Sequence, residues 1–273
     1  MNYEDQSYVL YEWMYGVQSI IEKNLGYAPT KILLEGPPGA SKTSFAEYLA
    51  HIYNAGYFEF NMHSGLFPEN IFWEYSVRPG NQIEYTKSPL WEAFEASHTQ
   101  TVVLVLDEID KTRERVEELL LRALEKFRFR DPWGEEIVAD ERNMVVIATS
   151  NNKRKLMPPT LRRFPIRIKV GFPAARVQKQ IIKSLLPPHL HIDPAIELAI
   201  KIANALRKID PDLAPSYVEL AALIYNASIL FNEGYSLEEA EYLLSGTLWK
   251  GEKMPNLGYN WTKALKTEMK KKN

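Results

Sequence analysis

The stretch LLEGPPGASKTSF, residues 33–45, constrains the fold of this chain most, because a glycine-rich turn joins an apolar strand to a helix. GPPGASKT follows the phosphate-loop pattern G-x-x-x-x-G-K-[ST], except that Ser41 replaces the second glycine. Such a loop aims backbone N–H groups at a polyphosphate from a helix N-terminus. We expect Ser41 to be accommodated if its backbone stays in the right-handed helical region. A glycine turn with a chance lysine is the alternative for this stretch alone.

Composition narrows the class of protein. With 273 residues, 45% of them hydrophobic and 25% charged, the chain is globular and suits one large or two modest domains. The absence of cysteine excludes disulfides, thiolate nucleophiles and cysteine zinc sites, and favours a reducing interior. A net charge of -2 argues against coating nucleic acid by bulk electrostatics. The acidic, polar start and the lack of a long apolar run favour a cytoplasmic protein with no membrane partner.

Five short apolar runs rich in β-branched or aromatic residues predict strands. They span residues 31–35, 57–61, 101–106, 143–149 and 165–170. Helical patterns such as SFAEYLAHIYN and ERVEELLLRALEKF separate several of them, and a leading helix is predicted over residues 7–24. This alternation predicts an α/β domain over residues 1–172, built on a mainly parallel sheet.

After Gly171 only helical patterns follow, which predicts a small helical domain over residues 173–273. Asp193, followed by proline, is predicted as a helix N-cap, and Ser236 with Glu239 as a capping box.

Two further segments receive plain structural interpretations. His189 and His191 in PPHLHID are predicted to be loop residues and not metal ligands. The basic end, KTEMKKKN at residues 266–273, is predicted to be a solvated, frayed tail, because like charges repel.

Polar residues follow two of the predicted strands and precede the last one. Asp107 and Glu108 end TVVLVLDE at the carboxyl edge of the sheet, where Asp107 suits Mg²⁺ and Glu108 suits a water molecule. Asn151 follows the fourth strand, where its amide would orient the attacking water. Arg162 and Arg163 precede the fifth, from which a guanidinium would serve a neighbouring subunit. Each feature alone also fits a cap, a turn or a solvated surface, but their combination predicts a nucleotide site.

These motifs, in this order, resemble the AAA+ ATPases, and most of all the MoxR-like and dynein-related group, whose phosphate loops often carry a small residue in place of the second glycine. Two further segments of that group have counterparts here: a hairpin-like insert before SPLWEAF, and the hairpin FRFRDPWGEEIV before the fourth strand. The resemblance implies a three-layer, parallel-sheet P-loop NTPase core with a small C-terminal α-helical lid domain.

The resemblance also implies ATP and Mg²⁺ as cofactors and assigns roles. Thr43 and Asp107 would bind the metal, Glu108 would be the catalytic base, Asn151 the first sensor, and Lys42 a catalytic phosphate-binding residue. The nucleotide-binding residues would be Gly36, Pro37, Pro38, Gly39, Ala40, Ser41, Lys42, Thr43 and Ser44.

A shared site between subunits is the next implication. Arg163, directly before Phe164, is the better candidate for the arginine finger, and Arg162 is the next. A finger supplied in trans makes hydrolysis depend on assembly, so a ring homo-oligomer, a hexamer in most of this family, is implied. Asn61 resembles the polar residue that restrains the catalytic glutamate.

The chain departs from the family pattern at the second sensor. Related proteins carry an arginine early in a lid helix, where this chain has Tyr217 and Val218; Arg207 lies upstream. Either the lid contacts nucleotide differently, or its closure is weakly coupled to hydrolysis.

The sequence leaves the substrate open. A protein remodeller is favoured by the near-neutral charge and by aromatic rings of GLFPENIFWEY that could grip a peptide (Phe67, Phe72 and Trp73). Packing of these rings inside the insert is the alternative interpretation.

A nucleic-acid motor is the second hypothesis. The hairpin FRFRDPWG offers cations and a ring for phosphate and base (Arg128, Arg130 and Trp133). A solvated hairpin with a packed tryptophan would give the same pattern. The missing second-sensor arginine suggests a third hypothesis, a nucleotide-dependent assembly switch with little turnover.

Overall fold

The computed structural model describes residues 9–10, 12–79 and 82–270. Its strands are β1 (Thr30–Glu35), β2 (Gly56–Asn61), β3 (Trp73–Arg78), β4 (Gln82–Lys87), β5 (Val102–Asp107), β6 (Arg128–Arg130), β7 (Glu136–Val138), β8 (Met144–Ser150) and β9 (Ile166–Lys169). Its helices are α1 (Glu12–Asn24), α2 (Lys42–Ile52), α3 (Pro89–Ala96), α4 (Glu114–Lys126), α5 (Pro158–Arg163), α6 (Ala175–Leu185), α7 (Asp193–Ile209), α8 (Tyr217–Asn232), α9 (Leu237–Leu248) and α10 (Trp261–Met269). The predicted leading helix is therefore observed from Glu12, and its first predicted turn lies largely outside the described residues.

The chain divides into two compact units. One consists of residues 12–36 and 41–170, and the other includes residues 37–40 and 171–270. Each unit has its own hydrophobic cluster, the first built around the sheet and the second around helices α6 to α10.

The sheet of the first unit has five strands in the order β2-β5-β8-β1-β9, and all neighbouring strands are parallel. All five predicted strands are present, which confirms the α/β class. The inner strands β5 and β8 are buried along almost their whole length, as expected of parallel strands covered on both faces.

Alternate residues of the strands face opposite sides of the sheet. Leu104 of β5 joins the cluster beneath α3 and α4, whereas Val103 and Val105 are equally buried on the other face. Helix α4 presents Leu120 and Leu124 to this cluster, and burying each such side chain stabilises the fold by about 1.5–3 kcal/mol. Because the inner strands are buried along their length, polar side chains can gather at the ends of these strands.

Two antiparallel hairpins extend the first unit. The predicted insert forms β3 and β4, and the predicted hairpin before the fourth core strand forms β6 and β7. The β6–β7 turn is tight because the Asp131 carboxylate accepts hydrogen bonds from the backbone N–H groups of Trp133 and Glu135. The rings of Tyr85 and Trp133 meet edge to face at 5.3 Å, which joins the two hairpins.

The helical unit shows one capping box that was predicted and one that was not. Ser236 with Glu239 caps α9 as predicted, and Ser216 with Glu219 caps α8 in the same way. The prediction for Asp193 was wrong by one position, because Asp193 is the first residue of α7 and its carboxylate pairs with two lysines of α6 (Lys179 and Lys183). Hydrogen bonds from these ammonium groups hold the pKa of Asp193 below its usual value.

The first part of the predicted basic tail is helical and not frayed. Lys266 lies within α10, and its ammonium group sits 5.1 Å from the ring centroid of Phe231. The last part of the predicted tail, residues 271–273, lies outside the described residues. His191 contacts the carbonyl of Leu186 at 3.0 Å, as a loop residue can. Within the described ranges no helix has the length and apolar character needed to cross a bilayer.

Ser41 contradicts the expectation for its backbone. Its φ of 61° and ψ of 27° place it in the left-handed region, directly before α2, and Gly39 also has a positive φ of 73°. The left-handed conformation costs an L-residue with a side chain roughly 1–2 kcal/mol. The loop therefore keeps the bend that the missing glycine would make, at the expense of local strain.

This strain predicts opposite effects of glycine at two neighbouring serines. Ser41→Gly should raise the free energy of unfolding by up to about 1 kcal/mol, because glycine relieves the left-handed penalty and loses only part of that gain to chain entropy. Ser44→Gly, the matched control inside α2, should lower it by about 0.5 kcal/mol. Urea denaturation without nucleotide measures both free energies of unfolding. An equal loss of unfolding free energy in the two variants would contradict the strain at Ser41.

Candidate active site

The loop after β1 is held against the sheet by Gly36. Its N–H donates to the carbonyl of Ser150 at 3.0 Å. A Cβ atom at position 36 would lie 2.1 Å from the carbonyl oxygen of Val170, so only glycine fits here. The first glycine of the motif is thus required by the close approach of neighbouring strands as well as by any ligand.

Lys42 is 6% exposed and points its ammonium group back across the loop. The Nζ atom donates to the carbonyl of Gly36 and to Oδ1 of Asn151, each at 2.8 Å. The fold therefore brings together two residues that lie 109 positions apart in the sequence.

Asn151 also reaches Glu108. Its Nδ2 donates to Glu108 Oε1 at 2.7 Å, so one amide joins the lysine to the glutamate. This arrangement fixes the orientation of the amide, because only its oxygen can accept from an ammonium group and only its nitrogen can donate to a carboxylate. The other Glu108 oxygen accepts from Lys111.

The backbone at Glu108 is unusual. Its φ of 57° is left-handed, and its N–H donates to Thr149 Oγ1 at 2.9 Å. Among the described residues, the side chains that donate hydrogen bonds to the Glu108 carboxylate are those of Asn151 and Lys111. Asn61, which was expected to restrain Glu108, instead pairs in register with Asp107 on the neighbouring strand.

A second cluster lies beside this one. Thr43 Oγ1 donates to Asp107 Oδ1 at 2.8 Å, and Thr149 Oγ1 donates to the same oxygen at 2.7 Å. Hydroxyl and carboxylate oxygens are the ligands that Mg²⁺ takes, together with water and phosphate oxygens. The donor set of Thr43 and Asp107 therefore fits magnesium. Thr149 was missed by sequence reasoning, although it is the polar residue that directly follows the apolar run MVVIA.

Asp110 was also missed. It is 2% exposed, and its two oxygens accept from the backbone N–H groups of Asn151 at 3.2 Å and Lys153 at 2.7 Å. A buried carboxylate needs such partners. Its position as the second aspartate of DEID was the available signal, and its effect is to fix the backbone that carries Asn151.

Arg162 and Arg163 lie in the last turn of α5. Arg162 is exposed. Arg163 Nη2 pairs with Glu125 Oε2 of α4 at 2.6 Å, and this hydrogen bond holds the pKa of Glu125 below its usual value. The preferred finger candidate thus has a partner within its own chain, at the surface of the first unit.

Arg207 belongs to the packing of the helical unit. Its guanidinium lies 3.8 Å from the ring centroid of Phe172 and donates to Gln178 Oε1 at 2.9 Å and to the carbonyl of Pro215 at 3.1 Å. Burial lowers its pKa. Tyr217 and Val218 begin α8, so the start of this helix carries no arginine.

The aromatic residues of the insert divide into two groups. Phe72 and Trp73 pack against the core, with the Phe72 ring 4.6 Å from that of Phe129, whereas Phe67 is exposed. The packing interpretation therefore describes two of the three rings.

On the β6–β7 hairpin, the packing interpretation does not describe the aromatic residue. Trp133 is 67% exposed, so the expectation of a packed tryptophan was wrong. Arg128 pairs with Glu136 across the hairpin at 3.3 Å, and Arg130 is exposed.

Comparisons with known proteins agree with this geometry. The family described as AAA domain (dynein-related subfamily) matches residues 31–164, a range that contains every predicted catalytic and metal-binding residue. Over 202 residues the chain is 27% identical to Fidgetin-like protein 1 of Drosophila melanogaster, covering 71% of this chain and 36% of the relative. Over 186 residues it is 28% identical to RuvB of Thermotoga petrophila, a subunit of the Holliday junction branch migration complex, covering 65% and 49%.

The chain thus spans about a third to a half of the length of these relatives. A solved structure of a Thermotoga maritima RuvB variant shares the fold with a TM-score of 0.56, at 18% identity, over 85% of this chain and 67% of that one. The parallel sheet, the residues gathered at its edge and the matched family lead to one conclusion: residues 31–164 of this chain form a dynein-related AAA domain of the AAA+ ATPases.

Proposed function

We propose that this chain hydrolyses ATP at the carboxyl ends of β1, β5 and β8, and that it does so as a ring homo-oligomer, a hexamer, that remodels a protein substrate in the cytoplasm. One observation carries the proposal. The side chains of Lys42, Asn151 and Glu108 form a continuous hydrogen-bonded chain next to the Thr43–Asp107 pair. A phosphate-binding cation, an orienting amide, a candidate base and a metal-binding pair are the groups that hydrolysis of a triphosphate requires.

The loop residues would hold the phosphates. Residues 36–44 lead into the N-terminus of α2, where free N–H groups and the helix dipole favour an anion. The Lys42 ammonium, now bonded to a carbonyl and an amide oxygen, would exchange these neutral acceptors for charged phosphate oxygens.

The Thr43 hydroxyl and the Asp107 carboxylate would hold magnesium. When bound, the metal neutralises charge that develops on the phosphates. Thr149 would keep Asp107 in place, since its hydroxyl already donates to the same carboxylate oxygen.

Glu108 would accept the proton of the attacking water, and Asn151 would orient that water. Both oxygens of the Glu108 carboxylate have donors in this structure, one from Asn151 and one from Lys111. Each carboxylate oxygen can accept a second hydrogen bond, so a water can donate to Glu108 while these two donors hold the carboxylate in place.

Replacing the base predicts a separation of binding from turnover. Glu108→Gln should bind ATP with magnesium as tightly as the unaltered chain but lose turnover by about 100-fold or more, because general-base catalysis contributes about 10²–10⁴-fold. Calorimetry measures binding, and phosphate release measures turnover. Glu114→Gln, at an exposed glutamate of α4, is the control and should retain both. Unchanged turnover in Glu108→Gln would remove Glu108 as the base.

Arg163 would serve the phosphates of a neighbouring subunit, with Arg162 as the second candidate. The Arg163–Glu125 pair is partly exposed, with side-chain exposures of 29% and 50%. Water screens a partly exposed ion pair and makes it weak, so Arg163 can leave Glu125 for a phosphate at small energetic cost.

Mixed rings test this shared site. Arg163→Ala and Lys42→Ala subunits should each be nearly inactive alone, but their mixture should regain turnover, because an intact loop then meets an intact finger across some interfaces. Turnover as a function of mixing ratio measures the effect. If Arg163→Ala subunits alone turn over normally, Arg163 is not a finger, and the same mixture with Arg162→Ala tests the second candidate.

A protein substrate is supported by an exposed apolar strip on the β3–β4 hairpin. Tyr75 pairs with Tyr85 and Val77 with Ile83 across the two strands, so these side chains share one face. Tyr75, Val77 and Ile83 are largely exposed, and Trp133 extends the strip. Contiguous exposed apolar surface of this kind marks sites that bind other proteins.

A nucleic-acid motor is the second candidate function. It is supported by the similarity to RuvB, which is a subunit of a Holliday junction branch migration complex, and by the exposed Arg130 and Trp133 on one hairpin. A cation and an open ring together can hold phosphate and base.

Stimulation of turnover distinguishes the candidates. An unfolded protein such as carboxymethylated lactalbumin should raise the turnover of the unaltered chain, and Val77→Ser with Ile83→Ser should reduce this stimulation, because the strip loses apolar area. Stimulation by single-stranded DNA that fades with salt would favour the motor instead. Binding of ATP without turnover under any of these conditions would favour an assembly switch.

A further inference from the structure

The segment between Asn151 and α5 is tied to the part of the chain that follows β5. Asp110 holds the start of this segment through the backbone N–H groups of Asn151 and Lys153.

Glu117, one turn into α4, holds the remainder of the segment. Its carboxylate accepts from the Arg154 guanidinium, from the backbone N–H of Met157 at 3.1 Å and from the Thr160 hydroxyl.

Glu117 has no exposed surface. A buried carboxylate is tolerated only where a cation and hydrogen-bond donors replace water around it. Arg154 supplies the charge, and Met157 and Thr160 supply donors that are fixed to α5 itself, since Met157 is its N-cap and Thr160 lies inside it. Helix α5 therefore cannot shift along α4 without leaving this charge unpaired.

The two arginines proposed as fingers lie directly beyond this anchor. Thr160 precedes Arg162 and Arg163 by less than one helical turn, so the anchor fixes where their backbone lies. Asp110 fixes Asn151 at the other end of the same segment. Asn151 and the two arginines thus lie at opposite ends of one short segment. Two buried carboxylates, those of Asp110 and Glu117, bond this segment to the β5–α4 region.

We propose that Glu117 is a positioning residue that keeps Arg163 and Arg162 in register with Asn151, so that the nucleotide state of one subunit sets the arginine offered to the next. This inference rests on the proposed function, because it requires a finger that acts in trans. Glu117 touches no reacting atom, and its effect on turnover passes through α5.

Mixed rings separate positioning from general damage. Glu117→Gln removes the charge that Arg154 needs and should lower turnover by about 100-fold, since a misplacement of about 1 Å can have that effect. Its ATP affinity should not change. Mixed with Lys42→Ala it should regain turnover, because its own loop is intact and the Lys42→Ala subunit supplies a placed finger. Mixed with Arg163→Ala it should regain none, because neither subunit then offers one.

A merely structural role gives a different result. General damage to Glu117→Gln would weaken its own nucleotide site, so ATP affinity would fall and Lys42→Ala subunits would not restore turnover. That result, or full turnover by Glu117→Gln alone, would overturn the inference. Glu118→Gln, at the exposed neighbouring position of α4, is the matched control and should behave as the unaltered chain.

Milder variants keep the test decisive if Glu117→Gln does not fold. Thr160→Val removes one donor with little change in volume. Like Arg163→Ala, it should regain turnover when mixed with Lys42→Ala subunits, whereas Thr160→Ser should retain turnover alone. If Arg163→Ala and Lys42→Ala do not complement each other, the proposed function fails and the inference fails with it. If they complement but Glu117→Gln and Thr160→Val do not complement Lys42→Ala, the inference alone fails.

Discussion

The parallel register of β1, β8 and β5 is the constraint on which the site depends. Leu34 pairs with Thr149 and Leu106 with Ala148, so the carboxyl ends of the three strands lie side by side. In a parallel sheet these ends share one edge, and each strand delivers the residues that follow it to the same place. The phosphate loop, the Asp107–Glu108 pair and Asn151 meet there because of this register, although none of them is near the others in sequence.

Buried charge gives the edge its rigidity. Asp110 and Glu117 are both almost fully buried, and both satisfy their oxygens with groups of the segment that links β8 to α5. Removing one partner of a buried carboxylate is strongly destabilising, because the remaining charge has neither water nor a counter-ion. The apolar cluster under α3 and α4 holds the layers together, but these carboxylates decide where the polar residues lie.

Three expectations about single residues were wrong, each for a reason that the structure shows. Ser41 adopts a left-handed backbone because the loop must bend there, whichever residue occupies the position. Asp193 lies one position inside its helix because two lysines of α6 offer its carboxylate stronger partners than a helix N-terminus does. Trp133 stays exposed at the hairpin turn, where the ring contact is an edge-to-face one with Tyr85. For Asp193, contacts with the preceding helix thus overrode a local preference.

The sequence by itself determined the five core strands, both hairpins, the helical character of the second unit and the types of residue at the candidate site, because apolar periodicity and short motifs depend on neighbours along the chain. Only the tertiary structure decided that one amide joins Lys42 to Glu108, that Thr149 shares Asp107 with Thr43, and that Glu117 holds α5. These are contacts between residues roughly 40 or more positions apart, and they exist only once the strands have chosen their order and register.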